Sequence, residues 1–185
     1  MKTKFLIIAT IIALGMTSCK KESDAKKSED TAPKVEVKQN FSVTLDVVAE
    51  KNDDFPLYYT EDGSIKFDGD HAVWTGVKGQ AATQTVVLNL SEEIIPTHIR
   101  VDFGIKKGEE QGDVTLSKFK VSYYGKDFEF KGSDFMKYFI PNKDVQTEVD
   151  AANGTIKFLK DPKGTFTHFY YPQQLLVDEI AKLTK

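Results

Sequence analysis

The clearest pattern along the chain is an alternation of apolar and polar residues that begins near Phe41. Residues 41–47 place Phe, Val, Leu and Val at every second position, with Ser, Thr and Asp between them. Residues 86–90 repeat this pattern, and residues 99–105 give its longest uninterrupted run, with Ile, Val, Phe and Ile at alternate positions. Because neighbouring side chains in a strand point to opposite faces, each segment predicts a β-strand with one buried face.

A change of parity marks the segment that follows. Val114 and Leu116 occupy even-numbered positions, whereas Phe119 and Val121 occupy odd-numbered positions. A single regular strand cannot bury both pairs on one face. One extra residue at Ser117-Lys118 would restore the inward direction, so we predict a β-bulge there, with all four apolar residues buried and the lysines beside Phe119 facing solvent.

Shorter strands and two helical segments complete the prediction. Tyr124-Gly125 predicts a hairpin turn leading into a strand at residues 128–130, and Asn153-Gly154 predicts a two-residue hairpin loop. Residues 133–139 predict one helical turn capped by Ser133, and residues 173–183 predict a C-terminal helix with apolar residues on one side. The other predicted strands cover residues 57–60, 65–67, 72–77, 145–149, 155–159 and 165–170.

Many short strands about ten residues apart, separated by Gly, Asp, Asn and Pro, favour an all-β fold. Strands do not alternate with helices, which argues against a doubly wound parallel sheet. We therefore predict an antiparallel two-sheet β-sandwich of the jelly-roll kind, with a short C-terminal helix, formed by residues 39–185.

The first residues carry a different pattern. Lys2 and Lys4 precede an apolar run at residues 5–16, which is too short to span a bilayer as a helix. Such a run after basic residues is typical of a signal peptide. Ser18 and Cys19 follow it and resemble the lipobox of bacterial lipoproteins, which implies that residues 1–18 are removed and that Cys19 is acylated. The alternative is an ordinary secretory signal with an incidental cysteine.

Residues 19–38 are rich in charge and contain no aromatic residue. Such a segment cannot bury enough apolar surface to offset its chain entropy, so we predict a disordered tether. Its opening, Lys20-Lys21-Glu22-Ser23-Asp24, resembles the charged tag of lipoproteins exported to the outer face of some Gram-negative cells. The resemblance implies an envelope protein held at the outer membrane by lipid; a merely solubilising linker is the alternative.

Composition narrows the function classes. From Gln39 onward there are 17 Lys and Arg against 23 Asp and Glu, a formal charge of −6, which argues against nucleic acid as a partner. Cys19 is the only cysteine, so no intramolecular disulfide can form and stability must come from the core.

Catalytic motifs are not evident. The sequence contains no Gly-x-Ser-x-Gly elbow, no His-Glu-x-x-His, no phosphate loop and no dinucleotide fingerprint. His71, His98 and His168 are far apart, and no pair has the spacing of metal ligands. The sequence therefore favours a protein without catalytic residues, and an unrecognised hydrolase is a minor alternative.

Two short acidic segments are candidates for calcium. Asp53 and Asp54 lie in one, and Asp68 and Asp70 flank a glycine in the other. Calcium prefers several carboxylate and carbonyl oxygens on a flexible loop, so these four residues predict a structural calcium site. The alternative is that they are turn residues, because Asp side chains bond to their own backbone.

The aromatic residues provide the best candidates for ligand contacts. Most tyrosines occur as pairs, and adjacent strand residues face opposite ways, so each pair sends at most one ring into the core. Tyr58, Tyr59 and Trp74 lie near the acidic segments and predict an aromatic platform, since such rings stack on sugars or anchor protein partners. The alternative for Trp74 is the core tryptophan of the sandwich.

Residues 86–90, 97–104 and 114–121 resemble the central hairpin of jelly-roll domains in bacterial glycan-processing proteins, where a strand ending in Asp, then Phe or Pro, then Gly precedes a bulged strand. The resemblance implies a sandwich like that of carbohydrate-binding modules. We therefore expect a lipid-anchored, non-catalytic envelope protein that binds glycan or another extracellular ligand. The competing hypothesis is an accessory subunit of an envelope complex that binds protein and no small ligand.

Overall fold

A computed structural model of the chain describes residues 39–185. The predicted signal peptide, the predicted acylation at Cys19 and the predicted tether at residues 19–38 lie outside these residues. The described part contains ten strands, two α-helices and two short 3-10 helices at Gly108–Glu110 and Gly132–Asp134. The strands are β1 (Ser42–Ala49), β2 (Asp53–Thr60), β3 (Ala72–Val77), β4 (Gln80–Asn89), β5 (His98–Asp102), β6 (Val114–Tyr123), β7 (Lys126–Lys131), β8 (Thr147–Asp150), β9 (Thr155–Phe158) and β10 (Phe169–Tyr170).

The strands form two antiparallel sheets, as the sequence predicts. The six-stranded sheet has the order β4-β1-β6-β9-β8, with β7 also paired to β6, and the four-stranded sheet has the order β10-β5-β2-β3. Their inner faces share one apolar core, to which residues from β1 to the C-terminal helix contribute. The described core residues run from Phe41 to Leu183 within one compact unit, and a unit with its own apolar core could in principle fold alone.

The β6 bulge is confirmed. Asp46 of β1 pairs with Lys118, but the next β1 residue, Val47, pairs with Leu116, so Ser117 is the extra residue. All four apolar residues of β6 on which the prediction rests are buried. Lys118 points outward and forms an ion pair with Asp46 at 2.8 Å. Gly132 packs against the bulge, where a Cβ would overlap the carbonyl oxygen of Leu116.

The helices close one end of the core. α1 (Phe135–Tyr138) places Phe135 against Phe103, with ring centroids 5.6 Å apart. α2 (Gln174–Leu183) buries the side that the sequence predicts to be apolar. Phe103 also stacks on Phe158 at 4.5 Å, so the two sheets meet there through aromatic contacts. The buried residues of α2 are Leu176, Ile180 and Leu183.

Several local predictions differ from the structure. Residues 65–67 form no strand and belong to the loop between β2 and β3. β5 ends at Asp102, since Gly104 adopts φ +117° and turns the chain, leaving Ile105 exposed. The loop from β8 to β9 has four residues rather than two, because Asp150 pairs directly with Thr155. Ser133 makes no side-chain cap to the helical turn.

Candidate functional site

The outer face of the four-stranded sheet carries aromatic side chains. Alternation along β2 buries Tyr59, which is 8 % exposed, and turns its neighbour Tyr58 outward. Trp74 of β3 also faces out and is 49 % exposed, so it is not the core tryptophan of the sandwich. The rings of Tyr58 and Trp74 meet edge to face, with centroids 6.0 Å apart. Two of the three predicted ligand-binding aromatics therefore lie together, whereas Tyr59 belongs to the other face.

Arg100 lies at the centre of this aromatic face. It pairs with Tyr58 across β5 and β2, and it shares the outward parity of that residue. Its guanidinium carbon lies 4.4 Å from the ring centroid of Tyr58, 5.1 Å from that of Phe169 and 5.5 Å from that of Tyr171. A guanidinium at these distances is attracted to the ring faces and holds the surrounding rings in place. We call Tyr58, Trp74, Arg100, Phe169 and Tyr171 the aromatic platform.

Asp102 holds the guanidinium from the side. Arg100 donates to it through Nε at 2.8 Å and Nη2 at 2.6 Å, which is a bidentate pair. Burial raises the pKa of Asp102 above its usual range, and the bonds from Arg100 offset part of this effect. A guanidinium has five N–H groups, and the three not used by Asp102 have no acceptor among the described residues. The Arg100 side chain is 18 % exposed, so only part of this donor group is open to a ligand on the platform.

An apolar groove continues from the platform. It has a volume of about 530 Å³ and lies between the loop after β2 and the segment after α1. Two isoleucines of its lining are strongly exposed, Ile65 at 57 % and Ile140 at 50 %. Phe169 and Tyr171 belong both to the groove and to the platform. The apolar groove is lined by Ile65, Ile140, Pro141, Asn142, Lys143, Asp144, Phe169 and Tyr171.

The four acids predicted to bind calcium are not brought together. β2 and β3 pair along their length, from Asp53 opposite Val77 to Tyr58 opposite Ala72. Asp53 and Asp54 therefore stand at one end of the hairpin, and Asp68 and Asp70 precede β3 at the other. Residues 39–185 contain no group of three or more His, Cys, Asp or Glu arranged to hold a metal ion.

Two of these acids, Asp53 and Asp68, make hydrogen bonds within the protein. Asp53 accepts the backbone N–H groups of Ile105 and Lys106, which fixes the loop after β5. Asp68 accepts the N–H of Asp70 and bonds to the His71 ring at 2.8 Å. The side-chain bond and charge of His71 hold the pKa of Asp68 below its usual range. Asp68 therefore matches the alternative in which the acids are turn residues, whereas Asp53 lies in β2 and holds a loop that is distant in sequence.

The histidines are also separated. His71 is exposed in the loop before β3, and His98 begins β5. His168 is buried, with its ring nitrogens 3.3 Å from the carbonyl oxygen of Phe103 and 3.0 Å from that of Leu159. Burial lowers the pKa of His168. This residue joins the two sheets at one end of the sandwich and faces no cavity at the platform.

Sequence reasoning missed Arg100 and Asp102. Both lie on the polar parity of β5, which the sequence analysis assigned to solvent. The signal that would have found them is the pairing of β5 with β2, because that register puts Arg100 opposite Tyr58. Phe169 and Tyr171 belong to an aromatic run visible in the sequence, but only the short strand β10 brings them beside β5.

Comparisons with protein-family models, curated proteins and solved structures found no match to this chain. In the part of the chain that the structure describes, no helix is long and apolar enough to cross a membrane. The aromatic platform and the apolar groove are therefore the features of the described residues that bear on function.

Proposed function

We propose that the protein is a non-catalytic, glycan-binding lipoprotein of the cell envelope, and that the aromatic platform is its binding surface. The observation that carries this proposal is the position of Arg100, whose guanidinium lies among the rings of Tyr58, Phe169 and Tyr171 and keeps three N–H groups that no described residue accepts. Sugars present apolar C–H faces and hydroxyl groups, so they match a surface that combines rings with hydrogen-bond donors.

The charge balance favours a neutral sugar. The Asp102 carboxylate is within 2.8 Å of the Arg100 guanidinium and largely compensates its charge. An anionic ligand would gain little from this pair, whereas a hydroxyl group can accept from the remaining N–H groups without an opposing charge.

Attachment and location belong to this proposal. We propose that Cys19 is acylated, that it provides the only membrane attachment, and that the protein lies at the outer membrane. A single lipid chain holds a protein only marginally, so two or more chains are needed for stable anchoring. Replacing Cys19 by Ala and fractionating cells tests this point: the variant should leave the membrane fraction, and retention there would contradict the lipobox interpretation.

The direct test of glycan binding uses purified residues 39–185 on a glycan array, followed by affinity gels that contain the retained sugars. We expect retention of the unmodified fragment and loss of retention in Tyr58→Ala and Trp74→Ala. Tyr124→Ala is the matched control, because Tyr124 is also an exposed tyrosine but lies in the hairpin between β6 and β7. The proposal would be contradicted if the unmodified fragment were not retained, or if Tyr124→Ala lost as much retention as the platform variants.

A second candidate function is an accessory subunit that binds another envelope protein. The exposure of Ile65 and Ile140 beside the platform supports it, since contiguous exposed apolar residues often mark protein contacts. Crosslinking in intact cells separates the two functions. A defined protein complex that is lost in Ile65→Ser and Ile140→Ser, together with no retention on any sugar, would favour the accessory subunit.

A further inference from the structure

We infer that the glycan ligand carries a hydrocarbon group, such as an alkyl or acyl chain, and that the apolar groove binds this group while the sugar lies on the aromatic platform. The inference depends on the proposed function, because it extends the same ligand from one surface to the next. Its evidence is the continuity, lining and charge of the groove.

Continuity comes from two shared side chains. Phe169 and Tyr171 face Arg100 on one side and line the groove on the other. The ring of Tyr171 also lies 5.7 Å from that of Phe67, which extends the apolar surface toward the loop after β2. A ligand stacked on the platform therefore meets the groove without crossing a charged barrier.

The size and charge of the groove favour an uncharged, small group. Its volume of about 530 Å³ is within the range of small-molecule pockets, about 300–1,000 Å³. A stable protein interface needs about 20–30 residues on each side, far more than line this groove. The rim contains one base, Lys143, and one acid, Asp144, so it offers no net charge to an ionic ligand.

The Asn142 side chain, one polar group of the rim, is already bonded within the protein. The Asn142 amide donates to the carbonyl oxygen of Phe169 at 3.3 Å and accepts the N–H of Asp144 at 3.1 Å. These bonds fix the loop that forms one wall, so the groove is a formed feature and not a gap between free side chains. The side chains of Ile65 and Ile140 remain exposed, and contact with hydrocarbon would remove their apolar surface from water.

The test compares methyl and hexyl β-glycosides of glucose, galactose, mannose and N-acetylglucosamine, using residues 39–185 and titration calorimetry. Each methylene group moved from water into apolar surroundings improves affinity by about fourfold. We expect at least one hexyl glycoside to bind ten times more tightly than its methyl counterpart. Equal affinities, or no binding by any hexyl glycoside, would overturn the inference.

Substitutions in the groove test whether the tighter binding of hexyl glycosides arises there. Ile140→Ser and Ile65→Ser should each reduce the advantage of the hexyl glycoside and leave methyl glycoside affinity unchanged. Trp74→Ala should weaken both glycosides equally. Ile105→Ser is the control, because Ile105 is exposed beside Asp53, at the end of β2 remote from Tyr58. A hexyl advantage that survives both groove variants would place the chain elsewhere and overturn the inference.

The outcomes also separate this inference from the proposed function. Suppose that methyl and hexyl glycosides bind equally well and that Trp74→Ala weakens both. This result would support the glycan site on the platform and would show that the groove is not part of it. If neither the array nor the glycosides show binding, both proposals are contradicted. Melting temperatures of all variants confirm that each loss reflects the surface and not unfolding.

Discussion

The outer faces of the two sheets follow the same strand alternation but carry different chemistry. On the six-stranded sheet, outward-facing lysines lie beside acids in ion pairs. On the four-stranded sheet, the outward residues are rings around one bonded guanidinium, Arg100. The ion pairs of the first face are Lys118 with Asp46 at 2.8 Å, Lys120 with Asp127 at 3.2 Å and Lys157 with Asp113 at 2.8 Å.

This difference makes the four-stranded face the better candidate for ligand contact. Long charged side chains in water lose rotamer entropy when they are fixed by a partner, so a face covered with them resists binding. Rings have few rotatable bonds, and those around Arg100 are already held by stacking. The four-stranded face therefore offers an ordered apolar surface at a lower entropic cost to a ligand.

The largest expected effect is on the free energy of unfolding, when one ion pair on each outer face is broken. Arg100→Ala leaves Asp102 buried without its partner and should lower the free energy of unfolding by about 3 kcal/mol. Lys118→Ala breaks an exposed pair and should cost less than about 1 kcal/mol. Urea denaturation of residues 39–185 measures both. Equal costs would mean that the Arg100 pair is an ordinary surface contact.

A smaller effect concerns pH. Burial acts to raise the pKa of Asp46, but bonds from Lys118 and Thr85 hold it below its usual 3.8. Its stabilising contribution is therefore complete above about pH 4 and is lost as pH falls through the folded-state pKa, at a cost of up to about 1 kcal/mol. Asp102 has a raised pKa, so the folded state takes up its proton first and acidification favours folding at that site.

Carboxyl NMR titration checks this contrast between the two faces. We expect Asp46 to titrate below its usual pKa and Asp102 to titrate above it. Arg100→Ala should raise the pKa of Asp102 further, because the offsetting bonds are removed. The contrast is refuted if Asp102 titrates at a lower pH than Asp46.

The smallest effect separates two adjacent tyrosines. Tyr170 is buried and its hydroxyl has no hydrogen-bond partner among the described residues, whereas Tyr171 faces Arg100. Tyr170→Phe removes the unpaired hydroxyl, so the free energy of unfolding should stay the same or rise by less than about 1 kcal/mol. Glycan binding should be unchanged in Tyr170→Phe and weakened in Tyr171→Ala. A loss of binding in Tyr170→Phe would show that the core and the platform are coupled.

The fold was largely predictable because its signals are local. Alternation in β1 and β6 identifies buried faces, and the parity change identifies the bulge at Ser117. The end of β5 was not predictable, since it depends on the φ of Gly104 and on Asp53, which is distant in sequence.

The candidate site was predictable only in part. Tyr58 and Trp74 stand out as aromatic residues near a turn, and their outward direction follows from alternation once one neighbour is known to be buried. Arg100 acquires its role only through the β2–β5 register, which no local pattern specifies. The four acids predicted to bind calcium do not lie together, because strand pairing separates residues that are close in sequence.

The central claim is that ligand binding involves the outer face of the four-stranded sheet and leaves the other outer face untouched. Backbone and side-chain ¹⁵N NMR of residues 39–185, recorded while the retained glycan is added, tests it directly. Trp74 is the only tryptophan, so its indole gives a single unambiguous signal. The account predicts shifts at the Trp74 indole, at Tyr58 and at the Arg100 side chain. Shifts centred on Lys118 and Lys120, with the Trp74 indole unmoved, would contradict it.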